Sequence, residues 1–534
     1  MNIEQHNPLL PASVRGTRAR VLLYVASGGA MLMAGAIMWP RSLTDWDSWD
    51  YAMLAMTRQP SGLCLRRWWF VYLMRSAWQV GGVFGFEGYL EAFQPMKAAV
   101  LLASAGAVTA LVGWTYRLTG HVRTAAVAAV IGLASPSLLL YCGTVMTEGP
   151  TLLVLALTMI CWELAIWSVR LGRSYAWAAA AGLLFGVAVN MREPALFLGA
   201  WPIVSCFVDR PRQRWGLLAA AMAGAGASLG FGVAMAWQWS GVTPAAILGG
   251  YKEYMHGERT IYGFNGWANL GYLAVHMLLA SPLAGFTLLA VGATALVRLV
   301  RRIGRATGER VGARRRRSKG GPGRRLVWLG VSTLPYAGMT WYNPNLVFNY
   351  RLLLPLAWML IPVAAYVLER ALGRATSRLR LTGRTAGVVG AAMLLGGAGL
   401  VMTIAWQVMM VRAVAFNNLQ DLIYRRLQDL PPNAVIIPGP GSTSAEYLRI
   451  VGGRKNWHVV TTDFVRFDWS VAGISRQLEE HMAEGQQAFV NANPAGWSRP
   501  GSKPWEWNNL REVLTHYETR EVDDHFVELI RRRD

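Results

Sequence analysis

Charge is scarce in this chain and carboxylate scarcer still: of 534 residues only 15% are charged, with 30 Asp and Glu against 52 Lys and Arg. A soluble domain carries about 25% charged residues, so a water-soluble globular class is excluded. Cysteine is nearly absent. Of the four cysteines, Cys161 and Cys206 fall inside apolar runs, leaving Cys64 and Cys142 as the one pair that an oxidising compartment could join. No cluster of Cys and His has ligand spacing, so a zinc site is not expected. No internal repeat of fixed period occurs. The turn Pro438-Gly439-Pro440-Gly441-Ser442-Thr443 lacks the Lys-Ser/Thr of a phosphate loop and reads as an ordinary strand-to-helix connection with a Ser or Thr cap.

What the chain has in quantity is apolar sequence, 53% of all residues, gathered in blocks of roughly 17 to 25. That is the length of a helix spanning a hydrocarbon core, and an all-β barrel is excluded. The expected spans are 21-40, 96-116, 124-141, 150-168, 175-190, 193-208, 215-238, 270-297, 326-341, 350-369 and 386-410. About eleven crossings put the termini on opposite sides of the membrane. The net charge of +22 sits in alternate connections: Arg15, Arg18 and Arg20, then Arg117 and Arg123, Arg170 and Arg173, Arg210 to Arg214, the dense run Arg298 to Arg325, and Arg370 to Arg384. This is the positive-inside pattern, not a nucleic-acid surface, and it makes the N-terminus cytoplasmic. No small-residue cleavage site follows the first span, which is expected to stay as an anchor.

Three features then face the opposite compartment. Segment 52-92 mixes aromatic residues with Arg58, Arg66, Arg67 and Arg75 and suits amphipathic helices lying in the interface. The polar stretch Gly249 to Arg259 reads as a loop able to cover a site. From about residue 411 a soluble tail begins, in which Ala434-Val435-Ile436-Ile437, Trp457-His458-Val459-Val460 and Ala488-Phe489-Val490 read as short buried strands. The helical pattern Val471 to Ala483 lies between them, giving a small α/β domain. The expected organisation is a membrane domain over 1-410, with an outer loop 41-95, and a periplasmic domain over 411-534.

Ionisable groups where the bundle meets the outer surface are the candidates for chemistry. Four groups sit at outward helix ends: Asp45, Asp47 and Asp50 in Asp45-Trp46-Asp47-Ser48-Trp49-Asp50-Tyr51; Glu148; Arg192 and Glu193 ahead of Pro194; and Tyr350-Arg351 ahead of Leu354-Pro355. Carboxylates and arginines on one rim suit a reaction in which a base removes a hydroxyl proton while cations hold a phosphate leaving group. Transfer of a sugar from a lipid phosphate is such a reaction. Arg192 and Arg351 are the first choices for the phosphate, with Arg58, Arg66, Lys252 and Arg259 behind them. Trp46 and Trp49 are candidate sugar-stacking rings, and most other tryptophans are expected to form the interfacial belt.

These residues resemble the membrane glycosyltransferases of the GT-C architecture, in the branch of the protein O-mannosyltransferases and the lipid A aminoarabinose transferase. The mark of that branch after its first span is Asp-Glu-x-x-Tyr-x-x-x-Ala. Asp47-Ser48-Trp49-Asp50-Tyr51-Ala52-Met53-Leu54-Ala55 matches it at Asp47, Tyr51 and Ala55, with Ser48 in place of the frequent Glu. Thr147-Glu148, the Gly-rich run Gly182 to Val189 leading into Arg192-Glu193-Pro194, and Tyr350-Arg351 continue the likeness across residues 1-410. The resemblance implies an inverting glycosyltransferase of the bacterial inner membrane, acting at the periplasmic face with a polyprenyl-phosphate sugar donor and no metal or other cofactor. It puts the catalytic base on Asp47, with Asp45, Asp50, Tyr51, Glu148, Glu193 and Tyr350 near the substrates. The acceptor would be a glycan, lipid or protein hydroxyl, and the partners membrane lipids rather than nucleic acid. A lipid-linked sugar flippase or transporter is the alternative, disfavoured because no charged mid-span positions or paired broken-helix halves are evident.

Overall fold

A computed structural model describes residues 14–39, 46–58, 67–88, 90–210, 212–246, 249, 266–306, 322–343, 350–381, 383–439, 442–460, 469–493 and 504–532. Helix α1 (Val14–Met38) precedes two short helices, α2 (Trp46–Thr57) and α3 (Trp68–Val83). There follow α4 (Phe93–Thr119), α5 (Val122–Leu133), α6 (Pro136–Tyr141), α7 (Glu148–Trp167) and α8 (Leu171–Met191). A 3-10 turn (Glu193–Gly199) leads to α9 (Ala200–Asp209) and α10 (Arg214–Ser240). Next come α11 (Gly266–Ala280), α12 (Pro282–Ala306), α13 (Pro322–Ser332) and α14 (Leu334–Tyr342), then a second 3-10 turn (Tyr350–Leu353), α15 (Leu354–Arg378) and α16 (Gly383–Gln428).

Among the described residues seven helical segments are long and apolar enough to cross a membrane: Thr17–Met38, Phe93–Thr119, Glu148–Trp167, Leu171–Met191, Arg214–Ser240, Arg351–Arg378 and Gly383–Met409. The chain is a polytopic α-helical membrane protein. The four other expected spans are each divided in two, and a proline stands at every division: Pro136 opens α6, Pro202 lies in the first turn of α9, Pro282 opens α12, and Pro335 lies in the first turn of α14. Proline has no N–H to give and its ring clashes with the carbonyl four residues back, so the helix stops even where hydropathy continues.

Small residues set how closely the bundle packs. In α8, Gly182 and Gly186 face α10, and a Cβ on Gly182 would lie 1.9 Å from the Ala221 carbonyl oxygen. The two backbones touch there, as helices do in lipid where van der Waals packing replaces the hydrophobic drive. The main bundle core gathers Leu111, Trp114, Leu155, Met159, Trp201 and Trp358.

Helix α16 runs 46 residues, continuing past position 410 to deliver the chain to a five-stranded sheet. The strands are β1 (Ala434–Ile437), β2 (His458–Val459), β3 (Gln487–Asn491), β4 (Tyr517–Glu521) and β5 (Phe526–Arg532), in the order β2-β1-β3-β5-β4. β1 pairs in parallel with β2 and β3, while β5 runs antiparallel to β3 and β4. Three further helices, α17 (Ser442–Ile450), α18 (Val471–Ala483) and α19 (Pro504–Thr515), complete the tail. Alternation along β1 splits its side chains between two cores. Val435 and Ile437 join Ile474, Leu478, Leu510 and Val513 on one face. Ala434 and Ile436 join Phe489, Phe526, Tyr447 and, from α2, Trp49 on the other.

Candidate active site

Four local breaks bring the site together. Asp47 lies in the first turn of α2, and Glu148 is the first residue of α7, where a carboxylate is favoured by the helix dipole. Gly149 lets that turn press on α4, because a Cβ there would meet Ser104 Oγ at 2.0 Å. At the end of α8, Arg192 leaves the helix with φ −154° and ψ 101°. Pro194 has no N–H for the Asn190 carbonyl and its ring clashes with that carbonyl, so α8 cannot run through it and breaks just ahead. Arg351 sits in the second 3-10 turn, just before α15 starts with Pro355 in its first turn.

The charges alternate. Arg351 Nη2 lies 2.7 Å from Asp47 Oδ2, and its Nε lies 3.9 Å from Glu148 Oε1. Arg192 Nη1 meets the same Glu148 oxygen at 2.5 Å, while its Nη2 donates to the Arg351 carbonyl at 3.0 Å. Arg67, just ahead of α3, donates to the Tyr51 hydroxyl and lies 3.8 Å from Glu193. Among the described residues three guanidiniums thus face three carboxylates. The Arg192–Glu148 pair is the buried one, with side chains 4% and 1% exposed, and Glu148 Oε2 and Arg192 Nε have no hydrogen-bond partner among the described residues.

Burial by itself pushes the Asp47 carboxyl up, but Arg351, Arg67 and Arg192 outweigh it and hold it below its usual range. For Arg67, burial works against the charge, and Tyr51, Glu193 and Asp47 reverse that and push its pKa up. Asp47 is therefore ionised at neutral pH and held by a cation.

By overall structure the chain is similar to ArnT from Cupriavidus metallidurans. Against ArnT bound to undecaprenyl phosphate the TM-score is 0.50 at 12% identity, covering 97% of this chain and 98% of that one. Against the apo form it is 0.51 at 14% identity, covering 96% and 98%. The archaeal oligosaccharyltransferase AglB from Archaeoglobus fulgidus, in complex with an inhibitory peptide and a dolichol-phosphate, gives 0.51 at 11% identity over 95% of this chain and 73% of that one. The fold is that of the GT-C membrane glycosyltransferases. No family model matches the chain, and no curated protein does either.

Within this GT-C fold, Asp47, Tyr51, Glu148, Arg192, Glu193 and Arg351 come together from four separate stretches of chain. Other expected residues do not join them. Arg58 is exposed at the far end of α2, its guanidinium 5.8 Å from the Trp239 ring. Trp49 is 1% exposed, wedged among Phe93, Tyr424 and Tyr447, so it offers no face for a sugar. Asp50 is buried. Trp46 opens α2 and Tyr350 opens the second 3-10 turn. Asp45, Arg66, Lys252 and Arg259 lie outside the described residues. Among the described residues no group of three or more His, Cys, Asp and Glu converges as a metal site requires.

Two contributors were not singled out from sequence. Arg67 stands beside Arg66 in a basic, aromatic segment, and nothing in the local pattern tells one from the other. Tyr336, wholly buried, donates its hydroxyl to the Leu352 carbonyl at 2.6 Å and so supports the turn carrying Arg351. Its only signal was an aromatic residue beside Pro335 within an apolar run.

Proposed function

We propose that the protein is an inverting glycosyltransferase that moves a sugar from a polyprenyl-phosphate donor to a hydroxyl of a cell-envelope acceptor, whether lipid, polysaccharide or protein. Residues 1-410 form the catalytic membrane domain and 411-534 the periplasmic domain, with the N-terminus cytoplasmic, the site at the periplasmic face and the protein in the bacterial inner membrane. The observation that carries this reading is the ion pair of Asp47 with Arg351 at 2.7 Å, a base and a phosphate-binding cation sharing one contact. The likeness to ArnT bound to undecaprenyl phosphate and to AglB with a dolichol-phosphate supports it.

Asp47 takes the proton of the acceptor hydroxyl as its oxygen attacks the anomeric carbon, and the lipid phosphate leaves from the opposite face with inversion. Charge is conserved across the site during this step. Asp47 loses one negative charge as it is protonated, and the phosphate gains one as it changes from diester to monoester. Arg351 answers both by moving its hydrogen bond from the carboxylate to the phosphate, with no charge added to or removed from the pocket. Arg192, held by Glu148, fixes the turn from which Arg351 reaches, and Arg67 offers a second cation to the leaving group.

Asp47→Asn tests this directly: transfer falls by about 10²- to 10⁴-fold while the lipid phosphate still binds. Transfer at the unmodified rate would remove Asp47 as the base. Mass spectrometry of envelope lipids and glycans, with and without the protein, then identifies the lost product. A lipid-linked sugar that changes side with no product lost would favour a flippase instead.

A further inference from the structure

At the other end of α2 from Asp47 lies a second group of cations. Arg58 follows the helix with φ +63°, in the left-handed region where a side chain is strained and glycine is not. The left-handed turn ends the helix, a geometry that glycine adopts without cost. Its guanidinium lies 5.8 Å from the Trp239 ring, and that of Arg75, from α3, lies 5.2 Å from the same ring and 5.7 Å from Trp78. Tyr72 stacks on Trp239 at 5.2 Å, with its hydroxyl buried and without a hydrogen-bond partner among the described residues.

Neither arginine meets a carboxylate among the described residues. Arg75 Nη1 donates to the Ala55 carbonyl at 2.9 Å, a helix C-terminal contact. A helix end offers only about half a negative charge, too little to balance two guanidiniums. Burial first, and then the neighbouring Arg58, hold the Arg75 pKa below its usual value. The backbone N–H of Arg58 donates to the Leu54 carbonyl at 3.0 Å and closes the end of α2, while its guanidinium makes no hydrogen bond among the described residues.

We propose that Arg58, Arg75, Trp239 and the Tyr72 hydroxyl form a binding subsite for the anionic headgroup of a lipid, its phosphate or carboxylate lying between the guanidiniums and its apolar part along the indole. The leaving phosphate of a donor does not fit here. From Asp47 to Arg58 the helix rises about 16 Å at 1.5 Å per residue, whereas a leaving phosphate stays beside the atoms that Asp47 serves. The subsite is independent of the transfer reaction proposed above, and its test reads binding alone.

The full-length protein in nanodiscs of phosphatidylcholine with a minor share of phosphatidylglycerol, ejected for native mass spectrometry, retains phosphatidylglycerol in preference to phosphatidylcholine. Arg58→Gln lowers that retention about tenfold, the worth of a charge-assisted hydrogen bond, and Arg58→Lys restores most of it. Arg58→Gly loses retention yet melts at a higher temperature, because the strained φ is relieved; this separates lost binding from lost folding. Displacement of the retained lipid by millimolar inorganic phosphate identifies the anion as the group recognised. Resistance to it identifies the whole headgroup, and either result upholds the subsite. Equal retention by the unmodified protein, Arg58→Gln and Arg75→Gln would overturn it, as would a preference for the zwitterionic lipid.

Discussion

Cutting the Glu148–Arg192 pair from either side should cost unequal amounts, and the inequality can be worked out from the geometry. Glu148→Gln leaves the Arg192 guanidinium, 4% exposed, with no carboxylate at its Nη1 and with neutral partners, the Arg351 carbonyl at 3.0 Å and the Tyr336 hydroxyl. An uncompensated buried charge of this kind costs about 3–5 kcal/mol. Arg192→Gln is milder, because Glu148 keeps Arg351 Nε at 3.9 Å. At an effective dielectric of 20 that contact is worth about 4 kcal/mol of Coulomb energy before desolvation, which reduces the expected loss to about 2 kcal/mol. The double variant, having no charge left to strand, should be more stable than the sum of the singles by about 1–3 kcal/mol. The assay is unfolding of the full-length protein in dodecyl maltoside titrated with dodecyl sulfate, followed by circular dichroism. Equal single costs that add to within about 0.5 kcal/mol would refute the argument, since that is the behaviour of two uncoupled surface charges.

The folded pKa of Asp47 is held below the ordinary 3.8, so the stability it contributes is present above that value and lost as pH falls through the folded pKa, and the acid limb of kcat/KM lies below about pH 4. Arg351→Gln removes the largest cation effect while leaving burial, so the limb should move to higher pH; a limb that stays put would sever the two residues. Gly182→Ala places a Cβ 1.9 Å from the Ala221 carbonyl oxygen and should destabilise the bundle by about 1–3 kcal/mol, read as a lower dodecyl sulfate midpoint. In the tail, burial first and then His481, stacked at 3.8 Å, hold His458 below its ordinary 6.5. Its unfolded form then binds a proton more readily than its folded form, and the tail should lose stability as pH drops below that value. His458→Gln should flatten that dependence in thermal melts followed by circular dichroism.

Sequence was informative wherever one physical quantity varied along the chain. Apolar block length located the long helices, and short apolar runs located β1, β2 and β3, because each property is local. Averaged hydropathy hid the breaks at Pro136, Pro202, Pro282 and Pro335, although each proline is plain to see, since an apolar block scores alike whether its helix is whole or cut. β4 and β5 escaped notice for the opposite reason: Tyr517–Glu521 and Phe526–Arg532 carry enough charge to read as loop. At the site, Asp47, Glu148, Arg192 and Arg351 were legible as charges at span ends. Their pairing was not, for Arg351 and Asp47 stand 304 positions apart, and only the packed bundle decides which carboxylate meets which arginine.

The motif at Asp47 acquires its meaning from helical geometry. At 100° per residue, Asp47, Tyr51 and Ala55 fall along one stripe of α2, while Trp49 points about 200° away. The stripe faces the arginines: Asp47 meets Arg351, Tyr51 accepts from Arg67, and the Ala55 carbonyl accepts from Arg75. The opposite face is gripped by Trp49, stacked on Tyr424 of α16 at 4.9 Å and edge-on to Tyr447 of α17 at 5.0 Å. Those rings share a core with Ile436, Phe489 and Phe526 of the sheet. The tail domain, which holds none of the clustered charges, therefore backs the helix that carries Asp47. A helix of 12 residues is too short to hold its own angle in water, and packing on both faces is what fixes the carboxylate within reach of Arg351.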